Sequence, residues 1–214
     1  MNAESWYLLL QVGLVATAGL SLAAGGISLI LGTFIGIFRV SPVAPLRVLA
    51  NGYVEFFRNI PLLICLAFIF YGLPKAGITF PIFEAGVVGL SVYTAAFVAE
   101  VVRAGLQSIS HGQFEAARAL GLSYVQMLWL VLLPQVFRMV IPPLGTIFIA
   151  LVKNTSVASA IVVPELMYQA EVIAGRYFYP SIFLIAGLVY LIITVPLAVL
   201  VNVVEKRLLI GPRR

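Results

Sequence analysis

A lysine stands inside a long apolar region, in the run Lys153-Asn154-Thr155 between apolar stretches that end at residue 152 and resume at residue 157. Neither stretch can cross a membrane alone, so we expect the lysine to face the protein interior at membrane depth. A lysine at the centre of an inserted helix costs about 2.5–3.5 kcal/mol, and such charges usually serve a ligand, an ion path or a counter-ion. We predict that Lys153 binds a carboxylate, with hydrogen bonds from Asn154 and Thr155. The alternative is a lysine that extends to the outer interface and pairs with Glu165.

A second polar segment separates two long apolar regions near the middle of the chain. The pattern of a capping box occurs twice there, at Ser110 with Gln113 and at Ser123 with Gln126. Gly121 lies between the two boxes, where a helix end favours a residue that tolerates left-handed backbone angles. We therefore predict a short, separately capped helix over about residues 110–120, held outside the bilayer.

Several kinds of catalytic and metal site are excluded by the residue types present. The chain has one histidine, His111, and one cysteine, so it offers no His/Cys cluster for a metal. It has no Gly-x-x-x-x-Gly-Lys-Ser/Thr phosphate loop and no Gly-x-Ser-x-Gly nucleophile elbow. We predict that the chain is not an enzyme and that it binds no metal or cofactor of its own.

The composition indicates that lipid is the solvent for most of the chain. Of its 214 residues, 62% are hydrophobic and 10% are charged, with a mean hydropathy of +1.11, whereas about a quarter of the residues are charged in a soluble domain. The net charge of +5 is carried mainly by residues that flank apolar runs. This pattern suits anchoring in a lipid bilayer at its cytoplasmic face and does not indicate nucleic-acid binding. We predict an all-α integral-membrane protein with a single domain, residues 1–214.

Five stretches approach or exceed the roughly 20 apolar residues that a membrane-crossing helix needs. They are residues 17–38, 50–72, 83–102, 135–157 and 179–204. Residues 122–133 are too few to cross and end at Pro134, so we predict a separate helix at the interface. Gly25, Gly26, Gly32 and Gly36 place small residues near one face of the first span and predict close packing against another helix.

The distribution of basic residues predicts the orientation. Most of them follow the first, third and fifth spans: Arg39, Arg47, Arg103, Arg118, Lys206, Arg207, Arg213 and Arg214. The excess predicts an N-terminus outside and a C-terminus in the cytoplasm, which makes the capped segment cytoplasmic. At the inner ends of two spans, Glu55 with Arg58 and Glu100 with Arg103 are spaced to form ion pairs.

The capped segment begins a longer motif. It reads Glu115-Ala116-Ala117, three residues, Gly121, nine residues, and then Val131-x-Leu133-Pro134. This resembles the EAA loop of permease subunits of bacterial ABC importers, with Val131 in place of isoleucine. Three further segments resemble the polar amino-acid branch of that family: Phe57–Leu63, Ala99–Gly105 and Leu151–Ser156. The resemblance covers nearly the whole chain and implies the type I ABC importer permease fold, with five transmembrane helices, in a bacterial cytoplasmic (inner) membrane.

The resemblance implies that the helix at about residues 110–121 is a coupling helix. Such a helix docks on a dimer of ATP-binding ABC subunits, which hold ATP and Mg²⁺. The expected contact residues are Phe114, Glu115, Ala116, Ala117, Arg118 and Gly121. The alanines permit close approach, the two charged residues fix the register with the partner, and the glycine allows a sharp turn.

Further partners follow from the same resemblance: a second permease copy or paralogue, an extracytoplasmic solute-binding protein and an amino-acid substrate. The predicted ligand of Lys153 is then the α-carboxylate of that substrate. Family members tend to carry polar or charged residues after the glycine that corresponds to Gly145, where this chain has Thr146 and Ile147. Because Ile147 supplies no carboxylate for a cation, we predict a polar neutral or acidic substrate such as glutamine or glutamate. The alternative is a stand-alone secondary amino-acid carrier or channel.

Overall fold

The computed structural model describes the backbone of residues 3–209, and the side chains of these residues except His111 and Leu209. Within this range the chain is mostly helical and contains no strand. The helices are α1 Ala3–Arg39, α2 Ala44–Asn59, α3 Leu62–Ala76, α4 Ile82–Gln107, α5 His111–Ala119, α6 Tyr124–Ile161, α7 Leu166–Tyr177 and α8 Ile182–Leu209.

Four of these helices, α1, α4, α6 and α8, are long and apolar enough to cross a membrane, and α2 with α3 makes a fifth crossing if the pair is counted as one span. The predicted all-α fold with five crossings is confirmed. The predicted span over residues 50–72 is divided between two helices, because α2 and α3 meet at an angle of 108°. The proline ring of Pro61 disfavours a helical backbone at the preceding residue, and Ile60 is extended, with ψ at 147°.

Helix α6 differs from the prediction at its N-terminal end. The separate interfacial helix predicted over residues 122–133 is wrong, because α6 runs from Tyr124 to Ile161 without a break. Pro134 follows a π-helical turn, Leu128–Leu132, in which the hydrogen bonds are already displaced by one residue. The missing N–H of the proline therefore does not end the helix.

Helix α4 lies at the centre of the bundle and packs most closely against α1. A Cβ atom added at Gly32 would lie 2.6 Å from the Cβ of Val98, and one added at Gly36 would lie 2.8 Å from the carbonyl oxygen of Ala99. The predicted close packing is confirmed at these two glycines and at Gly25, where an added Cβ would lie 2.7 Å from a ring carbon of Phe148, but it is wrong at Gly26, where an added Cβ would meet no atom within 4 Å. Helices α6 and α8 approach each other at Gly145, where an added Cβ would lie 2.4 Å from a methyl carbon of Val201.

Helix α7 was not predicted from the sequence. It packs on the first turns of α1 and α8 through buried apolar side chains: Leu9, Leu166, Ala170, Ile173 and Ile182. Its start is capped by the buried carboxylate of Glu165, which accepts hydrogen bonds from the backbone N–H groups of Met167 and Tyr168, both at 2.8 Å. The hydroxyl of Tyr190 on α8 donates to the same carboxylate at 2.8 Å.

Candidate functional sites

Helix α5 packs against the end of the bundle at which α1 and α4 terminate. Its Ala117 side chain is buried, and Phe114 packs beside it in an apolar cluster that includes Met127, Leu128 and Leu132 of α6. The same cluster contains residues near the C-terminal ends of α1 and α4. Because the anchoring residues are three apart, one face of α5 is turned towards the bundle.

The opposite face of α5 is exposed. It carries Glu115, Ala116 and Arg118, and the helix end presents Leu120, which is 79% exposed. The predicted coupling residues therefore divide into two sets. Phe114 and Ala117 hold the helix against the bundle, whereas Glu115, Ala116 and Arg118 are accessible to a partner.

The C-terminal end of α5 has the geometry predicted from Gly121. This glycine has a φ of +76°, the left-handed conformation that L-residues disfavour. The N–H of Leu122 donates to the carbonyl of Ala117 at 3.2 Å, and the N–H of Gly121 donates to the carbonyl of Arg118 at 2.9 Å. These two bonds form a Schellman motif, which fixes the direction in which the chain leaves α5.

The two predicted capping boxes have different outcomes. The box at Ser123 is confirmed, since its hydroxyl accepts from the N–H of Gln126 at 3.3 Å and its own N–H donates to the Gln126 side chain at 2.9 Å. The box at Ser110 is wrong, because the Ser110 side chain makes no capping hydrogen bond. The Gln113 side chain instead accepts from Gln135 Nε2 of α6 at 3.4 Å. A tertiary contact has therefore replaced a local one.

Three arginines from different helices converge on Glu100 near the C-terminal end of α4. Its carboxylate contacts Arg39 of α1, Arg103 of α4 and, at 3.4 Å, Arg58 of α2. The predicted pair of Glu100 with Arg103 is confirmed. The predicted pair of Arg58 with Glu55 is wrong, because α2 packs along α4 and its last turn brings Arg58 to Glu100. The part played by Arg39 was missed, although a basic residue at the end of the first span was the available signal.

Lys153 is exposed on the surface of the single chain and is not buried within this subunit. Thr146 is exposed too, and its hydroxyl donates to the carbonyl of Pro142 at 3.4 Å. Seven residues are about two helical turns, so Thr146 and Lys153 lie on one face of α6, roughly 10 Å apart along its axis. Asn154 is half-buried beside them.

Thr155 is not part of that face. Its side chain is fully buried, and its hydroxyl donates to the carbonyl of Val152 at 2.7 Å and lies 3.4 Å from the Tyr190 hydroxyl. The alternative pairing of Lys153 with Glu165 is wrong as well. The carboxylate of Glu165 is buried and accepts its hydrogen bonds from the start of α7 and from Tyr190.

Ile147 is half-buried and faces a different space from Lys153. It lines an apolar cavity of about 340 Å³ between α1, α4, α6 and α8, together with Ser28, Thr94 and Phe148. The five residues predicted to form a substrate site are therefore not gathered in one pocket of this chain. Thr146 and Lys153 share an exposed face, which a second subunit would have to cover to enclose a substrate.

Comparison with known proteins gives consistent matches over nearly the full length. The model of a family described as "Binding-protein-dependent transport system inner membrane component" matches residues 28–210. The probable glutamine ABC transporter permease protein GlnM of Bacillus subtilis (strain 168) is 41% identical over 209 residues, which cover 97% of this chain and 93% of that protein. The L-cystine transport system permease protein TcyB of the same organism is 36% identical over 207 residues, with 96% and 88% covered. A crystal structure of an amino acid ABC transporter with histidines has a TM-score of 0.84 and 34% identity, covering 94% of each chain.

Proposed function

The chain belongs to the family of binding-protein-dependent transport system inner membrane components, and we propose that it forms half of the translocation path of an ATP-driven uptake system for a polar amino acid. Proteins of this family are multi-pass inner-membrane permeases that work with a solute-binding protein, and the ATPase is a separate subunit. We propose that the N-terminus lies outside and the C-terminus in the cytoplasm, so that α5 faces the ATPase.

The observation that carries this proposal is the construction of α5. A short helix is anchored through Phe114 and Ala117 in an apolar cluster to which three spanning helices contribute, and it presents Glu115 and Arg118 on its exposed face. Charges of both signs on such a face set the register of a partner more than they add affinity. A push on this helix is transmitted to the bundle because the anchoring contacts are buried.

The second half of the path would come from another permease subunit. The exposed face of α6 carries Met139, Pro143, Thr146 and Lys153, which are spaced as one stripe along the helix. Met139 is 47% exposed, and a lysine on such a face is costly next to lipid. A second copy or a paralogue packed on this side would cover the stripe and place both polar residues in the space between the subunits.

The proposed substrate is a polar neutral or acidic amino acid, with glutamine or glutamate preferred. The ammonium group of Lys153 can bind the α-carboxylate that all amino acids carry, and Asn154 can add a hydrogen bond. Ile147 offers no carboxylate for a cationic side chain. The relative at 41% identity is named for glutamine, which supports the same choice.

The test is uptake into proteoliposomes that contain the assembled transporter, its ATPase and its binding protein. Proteoliposomes with the wild-type protein should accumulate glutamine or glutamate only when ATP is supplied on the side of the membrane at which α5 lies. Lys153→Met should abolish uptake and substrate-stimulated ATP hydrolysis while the subunits still purify together. Lys75→Met is the matched control, since Lys75 is an exposed lysine at the end of α3 and should be replaceable without effect.

Two outcomes would contradict the proposal. Unchanged uptake by Lys153→Met would remove this lysine from substrate binding. Uptake driven by an ion gradient alone, with no ATPase present, would favour the stand-alone carrier.

A further inference from the structure

A cavity of about 590 Å³ lies beside α5 at the inner end of the bundle. Its polar wall includes Arg39 of α1, Arg47 of α2, Gln107 of α4 and Tyr124 of α6. Its apolar wall includes Leu106 of α4 and Leu128 of α6. The cavity is therefore amphiphilic, with cations on one side and aliphatic side chains on the other.

The charges around this cavity do not balance. Arg39 is only 11% exposed and shares the single carboxylate of Glu100 with two other arginines. One carboxylate neutralises one guanidinium, so this cluster keeps a net charge of about +2 in a partly desolvated place, where uncompensated charge is costly. Arg47 adds a further positive charge at the cavity wall. This excess of positive charge favours the binding of an anion.

Arg47 is placed to bind that anion. Its side chain is exposed, and within residues 3–209 its hydrogen bond is the one that Nη1 donates to the carbonyl of Ser41 at 2.9 Å. A guanidinium has five N–H donors in a planar fork that matches the oxygens of a phosphate. Most of these donors remain available for a phosphate oxygen.

We propose that this cavity binds an anionic phospholipid from the membrane leaflet at this end of the bundle. The phosphate contacts Arg47 and approaches Arg39, and the first acyl carbons lie along Leu106 and Leu128. A free phosphate ion would use only the polar wall, whereas a lipid fills both. Basic residues at the membrane surface attract anionic lipid head groups in general, and here a cavity gives that attraction a defined place.

The site reaches the coupling helix directly, because Phe114 lines the same cavity. A lipid bound there would pack against the anchored face of α5. Lipid binding at this site does not depend on which solute is transported.

The test measures lipid binding to the assembled transporter by native mass spectrometry after delipidation. Phosphatidylglycerol should bind in preference to phosphatidylcholine. Arg47→Gln should weaken phosphatidylglycerol binding about tenfold, the loss expected for a charge-assisted hydrogen bond. Arg47→Lys should show an intermediate loss, since it keeps the charge but not the fork. Arg207→Gln is the matched control, because Arg207 is an exposed arginine near the same end of the bundle and does not line the cavity.

Three results would overturn the inference. Equal binding of the anionic and zwitterionic lipids would show that charge does not select the occupant. Equal effects of Arg47→Gln and Arg207→Gln would show diffuse attraction without a site. Binding of inorganic phosphate to the same extent as phosphatidylglycerol, with the same dependence on Arg47, would identify a soluble anion as the occupant.

Discussion

Replacement of Gly121 by alanine tests how the direction of the chain after α5 contributes to coupling. The glycine has a φ of +76°, and an added Cβ would meet no atom within 4 Å. The substitution therefore introduces no clash, and its whole effect comes from the backbone conformation.

An L-residue in the left-handed conformation costs about 1–2 kcal/mol. Alanine also restricts the unfolded chain, which offsets roughly 0.4–1 kcal/mol of that cost. The net loss is about 1 kcal/mol, which corresponds to a fall of about fivefold in the equilibrium that favours the closed Schellman motif. The amide of Leu122, which donates to Ala117 in that motif, should exchange its hydrogen faster by a similar factor.

The assay combines hydrogen exchange at Gly121–Leu122 with the ATPase activity of the assembled transporter. Gly121→Ala should speed exchange and lower the substrate-stimulated ATPase rate. Gly112→Ala is the matched control, since Gly112 is also free of neighbours within 4 Å but lies inside α5 without a positive φ. It should be neutral or slightly stabilising, because alanine is the better helix former.

Two results would refute this reasoning. Unchanged exchange at Leu122 in Gly121→Ala would mean that the left-handed conformation is not the source of the constraint. Faster exchange without any change in stimulated ATPase activity would mean that the exit angle of α5 is not needed for coupling.

Three further predictions concern stability in detergent solution. Glu100→Gln removes the counter-charge shared by three arginines, so it should lower the free energy of unfolding by about 2 kcal/mol and lower the melting temperature. Glu55→Gln, at an exposed position, should not lower it. Equal melting temperatures for the two variants would contradict this. Gly145→Ala forces a Cβ to within 2.4 Å of Val201, so it should lower the free energy of unfolding by about 1–3 kcal/mol and loosen the α6–α8 contact. Gly26→Ala, which has no neighbour within 4 Å, should have the melting temperature of the wild type. Burial raises the pKa of the Glu165 carboxyl above its usual value of 4.5. The folded state therefore binds this proton more tightly than the unfolded chain does. The stabilisation that the protonated carboxyl of Glu165 provides is lost as the pH rises above 4.5. Glu165→Gln should remove this pH dependence and the exposed Glu171→Gln should keep it; an identical melting profile for both would exclude Glu165 as the source.

Features that depend on neighbouring residues were predictable from the sequence. The long apolar runs predicted the membrane crossings, and the polar segment with Gly121 predicted α5 and the left-handed backbone conformation at its C-terminal end. The capping box at Ser123 was also correct, because both of its hydrogen bonds join residues within one turn. The break before Pro61 could have been inferred from the backbone restriction that proline places on the preceding residue.

Features that depend on tertiary contacts were not predictable in this way. The partner of Arg39 lies 61 residues away in the sequence. Gln113 contacts Gln135 across two helices, which a local pattern cannot reveal. The direction of Lys153 depended on which face of α6 packs inward, and α6 carries apolar residues on both its buried and exposed sides. An apolar sequence does not distinguish lipid from a second subunit as the neighbour of that face.

The glycine contacts between α1 and α4 provide a fixed reference for distance measurements within the subunit. With backbone and side-chain atoms meeting at Gly32 and Gly36, these two helices could not slide or tilt against each other without losing close contacts. Spectroscopic labels attached to this pair should keep a constant separation throughout a transport cycle. Labels on α8, most of which is exposed in this chain, can then be read as displacements from a fixed frame.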